Sequence, residues 1–197
     1  MTKYILFIYF LGINLFANET IVIDETMYQN QSFSNMAELT EEEKYSPDLI
    51  NLIIERMRQM NWSSAKDYCE NLEYGNFSDW RLPTHQEFEK ISLVKIYYGL
   101  GNYKNFDDYA KEHLDKAKKH VASIKQYRVK SKIGSELVVK KEFLENMPLI
   151  NDQHMLGEFW VLDQRDKEYA MTLDLRNAVA WWTTKTQKAY VLCTRQK

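Results

Sequence analysis

Asn61 to Phe88 reads "NWSSAKDYCENLEYGNFSDWRLPTHQEF", and this stretch decides how the chain folds. Trp62, Ala65, Cys69 and Leu72 recur at three- and four-residue intervals, the spacing of one buried helix face. Asn61 is placed to cap that helix and Gly75 to end it. Thr84 stands three residues before Glu87, a capping box that opens a second helix from His85 to about Val94. Between the two lies a stiff corner, Trp80-Arg81-Leu82-Pro83, in which Pro83 holds Leu82 extended and fixes the angle at which the second helix leaves.

Upstream, the first seventeen residues carry Lys3, an apolar run from Tyr4 to Phe16 and Ala17 at a cleavage position, the pattern of a secretory signal peptide. The run is shorter than the roughly 20 residues a spanning helix needs. Residues 18–197 then suffice for a single domain with its own core. Cys69 and Cys193 are the two cysteines, and an even count in an exported chain points to one disulfide rather than two buried thiols. Thr20 to Ile23 suits a first strand, and Asp24 to Phe33 an irregular, partly buried loop. Thr40 with Glu43 is a further capping box, soon closed by Pro47, and Asp48 to Met60 has helical spacing at Leu49, Leu52, Ile53 and Met57.

Downstream, Asn105 to Arg128 carries Phe106, Ala110, Leu114, Ala117, Val121 and Ile124 on one stripe, which Lys111, Lys118, Lys119 and Lys125 avoid. That is the pattern of a surface helix packed on the domain, with a membrane-surface or partner-binding helix as the sharper alternative. The final forty residues change character. "EFWVLD", "YAMTLDL", "AVAWWT" and "AYVLCTR" are short, aromatic and β-branched, and predict an antiparallel meander. Helices followed by clustered strands make the fold class α+β.

Taken together, "DETMYQNQ" (24–31), the 61–88 stretch, "EFWVLD" (158–163) and "AYVLCTR" (189–195) resemble the Lcl C-terminal domain family, long catalogued as a domain of unknown function. The family pattern falls on Asp24, Tyr28-Gln29, Trp62, Ala65, Tyr68-Cys69, Gly75, Trp80 to Thr84, Glu87, Trp160 and Cys193, with Tyr28 standing where the family commonly has Trp. The resemblance spans both ends of the exported chain but not roughly 95–150, which is taken as a helical, basic insertion. Members look similar to C-type-lectin-like and sulfatase-modifying-factor domains. The resemblance therefore implies two helices packed on an antiparallel C-terminal sheet, with a disulfide from Cys69 to Cys193. It also implies a structural corner in which Trp80 and Leu82 are buried and Arg81 is paired internally.

The sequence offers little catalytic chemistry. Sulfatase-modifying enzymes use two reactive cysteines, and none remains once a bridge forms. Calcium-dependent lectins need Glu-Pro-Asn or Gln-Pro-Asp clusters of oxygen ligands, and Pro47, Pro83 and Pro148 sit in no such triplet. His85, His113, His120 and His154 show no metal-ligand spacing, so no metal and no cofactor is expected. No glycine-rich phosphate loop or Ser-His-Asp arrangement is present in the sequence. Two features suit binding. Trp181-Trp182 puts one indole on each face of a strand, leaving one to stack on a sugar or a partner unless both pack under the insertion.

The second is a polarised charge. Glu19 to Glu55 holds nine acidic residues and one basic, whereas Lys95 to Lys141 holds twelve basic against five acidic. Solvated faces account for this, and so does a surface for anionic glycans or headgroups built on Lys111, Lys118, Lys119, Lys125 and Arg128. The expectation is an exported bacterial recognition module, non-enzymatic, binding a glycan that the family resemblance implies is anionic. A structural or accessory envelope protein that binds another protein through the insertion is the alternative. Export disfavours nucleic acid.

Overall fold

Strand β1 (Thr20–Ile23) and strand β2 (Thr26–Gln29) form a hairpin in which Ile23 faces Thr26 across Asp24 and Glu25. Both turn residues have positive φ, 45° and 65°. Such turns favour Asn-Gly, so Asp-Glu gives almost no turn signal and the 24–33 stretch reads as a loop in the sequence. Within it, Thr26–Gln29 is instead a strand, buried along its length between β1 and the last strand, β11 (Thr194–Gln196), while 30–33 lies outside the described residues. The computed structural model describes residues 20–29, 59–98, 106–130, 136–146 and 158–197. The signal segment, the Thr40–Glu43 capping box and most of the helix expected over 48–60 lie outside these residues. The last two positions of that helix, Gln59–Met60, are strand β3.

A six-stranded sheet runs in the order β3-β10-β7-β8-β9-β4. Its centre is the expected antiparallel meander of β7 (Glu158–Gln164), β8 (Tyr169–Asp174) and β9 (Val179–Thr184). Strand β10 (Ala189–Tyr190) crosses back to lie parallel to β7, and β4 (Tyr97–Tyr98) joins parallel to β9. The chain therefore departs from a simple meander after β9. Alternation along the strands sorts side chains into two cores. Phe159, Val161, Tyr190 and Leu192 enter one core with helix α2 (His85–Ile91) and helix α4 (Lys141–Asn146). Trp160, Ala189, Val191 and Cys193 enter the other with helix α1 (Trp62–Glu70). The fold is α+β.

Asn61 caps α1 by accepting the Ser64 N–H at 2.9 Å, and Trp62, Ala65 and Cys69 are its buried face. The helix ends at Asn71 rather than at Gly75, which adopts φ +61° within a tight Tyr74–Phe77 turn. Cys69 and Cys193 form the disulfide, with Cα atoms 5.5 Å apart, so α1 is tied to the approach to β11. Residues of the basic segment are hydrogen-bonded into the domain. Leu93 N–H donates to the Val138 carbonyl, Val138 N–H to Leu175 and Lys140 N–H to Ile91, while β5 (Val129–Lys130) and β6 (Glu136–Leu137) form a small hairpin. Helix α3 (Phe106–Ser123) lies by the β4–β9 edge and continues into a short 3-10 turn, Lys125–Tyr127.

Candidate functional site

The Trp-Arg-Leu-Pro corner spends its polar groups internally. Trp80 is buried and its indole N–H donates to the Tyr74 carbonyl at 3.1 Å, while Leu82 and Pro83 are covered. The Arg81 backbone exchanges two hydrogen bonds with Thr194 of β11, at 2.9 and 2.8 Å. Its guanidinium grips the buried Glu87 carboxylate in a two-point contact, 2.8 Å to Oε2 and 2.7 Å to Oε1. Glu87 Oε2 also accepts the Thr84 N–H at 2.7 Å, completing the capping box. Burial pushes the Glu87 carboxyl up, but the bonds from Arg81 and Thr84 outweigh it and hold the group below the usual range. Trp62 and Trp160 behave similarly, their indoles donating to the Val161 carbonyl at 2.9 Å and the Met60 carbonyl at 2.6 Å.

The pattern set by Trp62, Ala65, Tyr68-Cys69, Gly75, Trp80 to Thr84, Glu87, Trp160 and Cys193 thus builds one contiguous scaffold. The Lcl C-terminal domain family model matches residues 29–195. The chain belongs to this family. No curated protein matches it. Within the Lcl C-terminal scaffold, Trp80, Arg81 and Glu87 of the corner are paired internally.

Helix α3 and strand β9 face one another. A groove of about 370 Å³ is floored by Ala117, Val121, Val179 and Trp181, with Leu114, Lys118, Ala122 and Lys125 along its helical side and Asp174 and Asn177 at its end. Asp174 accepts from the Arg176 guanidinium at 2.9 Å through each oxygen and from the Asn177 amide at 2.8 Å, so its charge is already answered. Among the described residues, neither Lys118 nor Lys125 is in an ion pair. The groove therefore offers an apolar floor beside two positive charges.

The structure brings together Trp181, Lys118 and Lys125 of the expected ligand residues and separates the others. Lys111 and Lys119 stay on the exposed side of α3. Arg128 is engaged, donating to Asn177 Oδ1 at 2.9 Å and lying 3.5 Å from Glu136, and so steadies the groove end. Trp182 packs against the core on the opposite sheet face, and Trp181 meets His113 of α3. Asp174 and Asn177 look like simple turn formers in the sequence, and nothing there marks them as groove residues.

The buried stripe of α3 also differs from expectation. His113, Ala117, His120 and Ile124 face the domain, whereas Leu114 is 45% exposed and Val121 half-buried in the groove. Apolar periodicity selects leucine and valine for the core, and the aromatic rings of Tyr97 and Trp181 select imidazoles instead. Elsewhere, His85 Nδ1 lies 2.7 Å from Asp163 Oδ1, and the His85 N–H donates to the same carboxylate at 2.9 Å. That pairing fixes the start of α2. No group of three or more His, Cys, Asp or Glu able to hold a metal exists among the described residues.

Proposed function

We propose that this chain is an exported, non-enzymatic recognition module of C-type-lectin-like or sulfatase-modifying-factor-like fold, binding an anionic glycan in the α3–β9 groove. The observation that carries the reading is the convergence of the Trp181 indole with Lys118 and Lys125 on one groove. A sugar ring presents a C–H face that stacks on an indole, and acidic substituents then meet the two ammonium groups. The disulfide fits an oxidising compartment, and among the described residues no helix is long and apolar enough to cross a membrane.

The test is a glycan and polyanion array with the purified protein at low and moderate salt. Retention that weakens with salt and is lost in Trp181→Ala and in Lys118→Gln with Lys125→Gln is the expected result. Retention indifferent to these substitutions, or a blank array, overturns it. The exposed Leu114 beside the groove favours one second reading, an accessory envelope protein that uses the same face for a protein partner. Crosslinking in the native compartment, with Leu114→Asp as control, distinguishes that case.

A further inference from the structure

Among the described residues, two imidazoles of α3 pack on the aromatic rings of the β4–β9 edge. His113 is 0% exposed, stacked on Tyr97 with centroids 4.9 Å apart and planes 19° apart, and set edgewise against Trp181 at 4.0 Å and 87°. Two turns on, His120 lies tilted against the same Tyr97 ring at 5.9 Å. Ala117 between them is small, and Ile124, just past the helix, is a buried aliphatic group on the same stripe. Leu114, one residue from His113, faces the groove instead. The helix thus docks through titratable rings where a merely structural helix would use leucine.

A neutral imidazole packs between two rings as an aromatic group, but an imidazolium there must shed its water. The groups around His113 do little to repay that. On α3, Lys116 repels the charge and His120 is a second imidazole on the same stripe. From β9, the Ala180 backbone favours the charged form, and Trp181 offers its ring. From β4 comes the Tyr97 ring. Asp174, which lines the groove with Trp181, is committed to Arg176. Burial is the largest effect and prevails over the Ala180 backbone, holding the imidazole at about 4. Burial also lowers His120.

We infer that His113, backed by His120, is a proton-sensitive clasp whose protonation detaches α3 from the β4–β9 edge and dismantles the Trp181 wall of the groove. The helix and the 3-10 turn that continues it carry Leu114, Lys118, Ala122 and Lys125, one side of the groove, so their release removes that side at once. Detachment stands on its own geometry. Only the accompanying loss of ligand rests on the glycan reading.

The experiment follows the full chain from about pH 7.5 down to about pH 4 by tryptophan emission with acrylamide quenching, and follows the histidine rings and the Trp181 indole N–H by NMR. The expected result is a reversible transition below about pH 6 in which quenching of Trp181 rises about twofold or more and its indole signal moves with the His113 ring. The Trp181→Phe protein lacks that fluorescence change, and His113→Gln shifts or abolishes the transition. Titration of His113 near its ordinary value without movement of Trp181 overturns the clasp. So does an unchanged midpoint in His113→Gln, or no change before all tertiary signals collapse together. The wild-type NMR titration decides even if His113→Gln fails to fold. A blank glycan array leaves the clasp standing, whereas glycan retention unaltered across the transition refutes its coupling to binding.

Discussion

Breaking the Arg81–Glu87 contact should cost far more than an ordinary surface ion pair. Glu87 is 3% exposed and the Arg81 side chain 28%, so solvent screens the pair only in part. Glu87→Ala removes two charge-assisted hydrogen bonds, each worth about 1.5 to 3 kcal/mol, and the carboxylate half of a capping box, worth about 1 kcal/mol. These terms overlap because one carboxylate serves both, which puts the net loss at about 3 to 4 kcal/mol. Arg81→Ala should cost about 3 kcal/mol, since it leaves a buried carboxylate with only Thr84 and Thr194 as partners.

A double-mutant cycle by urea unfolding at neutral pH separates the pair from its surroundings. The double variant should lose less than the sum of the singles, by about 2 kcal/mol. Coupling below about 0.5 kcal/mol would refute the argument, because the corner would then owe its rigidity to Trp80 and Pro83 alone. The pH dependence gives a second check. Glu87 titrates below its ordinary value in the folded chain, so its contribution is present above that value and is lost as pH falls through the folded one. Glu87→Gln should flatten that acid limb.

Cys69→Ser, or reduction, opens a bridge across a sequence separation of 124 and should cost about 2 to 5 kcal/mol, read as a shift in the urea midpoint that reductant reproduces in the wild type. Gly75→Ala places a Cβ at φ +61° in ordinary van der Waals contact with Thr20, 3.6 Å away, so backbone strain alone should cost about 1 kcal/mol in the same assay. His113, held at about 4 against an ordinary 6.5, favours the folded state above its ordinary value. That stability, about 3 kcal/mol, is lost as pH falls from 6.5 towards 4, and the His113→Gln protein should show a shallower slope there.

The scaffold was legible in the sequence because each of its signals is local or chemically singular. Asn61 and Thr84 cap the helices they precede, and the alternation of Tyr190, Leu192 against Val191, Cys193 sorts the final segment into two cores. The disulfide needed only two cysteines and a family pattern to be paired. What escaped was long-range. The β2 strand hid behind a positive-φ turn without glycine, and the parallel return of β10 to β7 depends on a crossover that no short window contains.

Helix α3 shows why the candidate site was only half legible. Its register was fixed in the sequence by counting aliphatic residues, a rule that assumes the neighbouring surface is aliphatic too. The β4–β9 edge instead presents Tyr97 and Trp181, and rings stack best on rings. Rotating the helix to seat His113 and His120 on those rings turns Leu114 and Val121 outward and brings Lys118 and Lys125 beside Trp181. One rotation therefore creates the apolar groove, places its charges and buries the titratable clasp beneath it. A packing choice that looks unfavourable for the helix alone is the same choice that opens the groove beside Trp181.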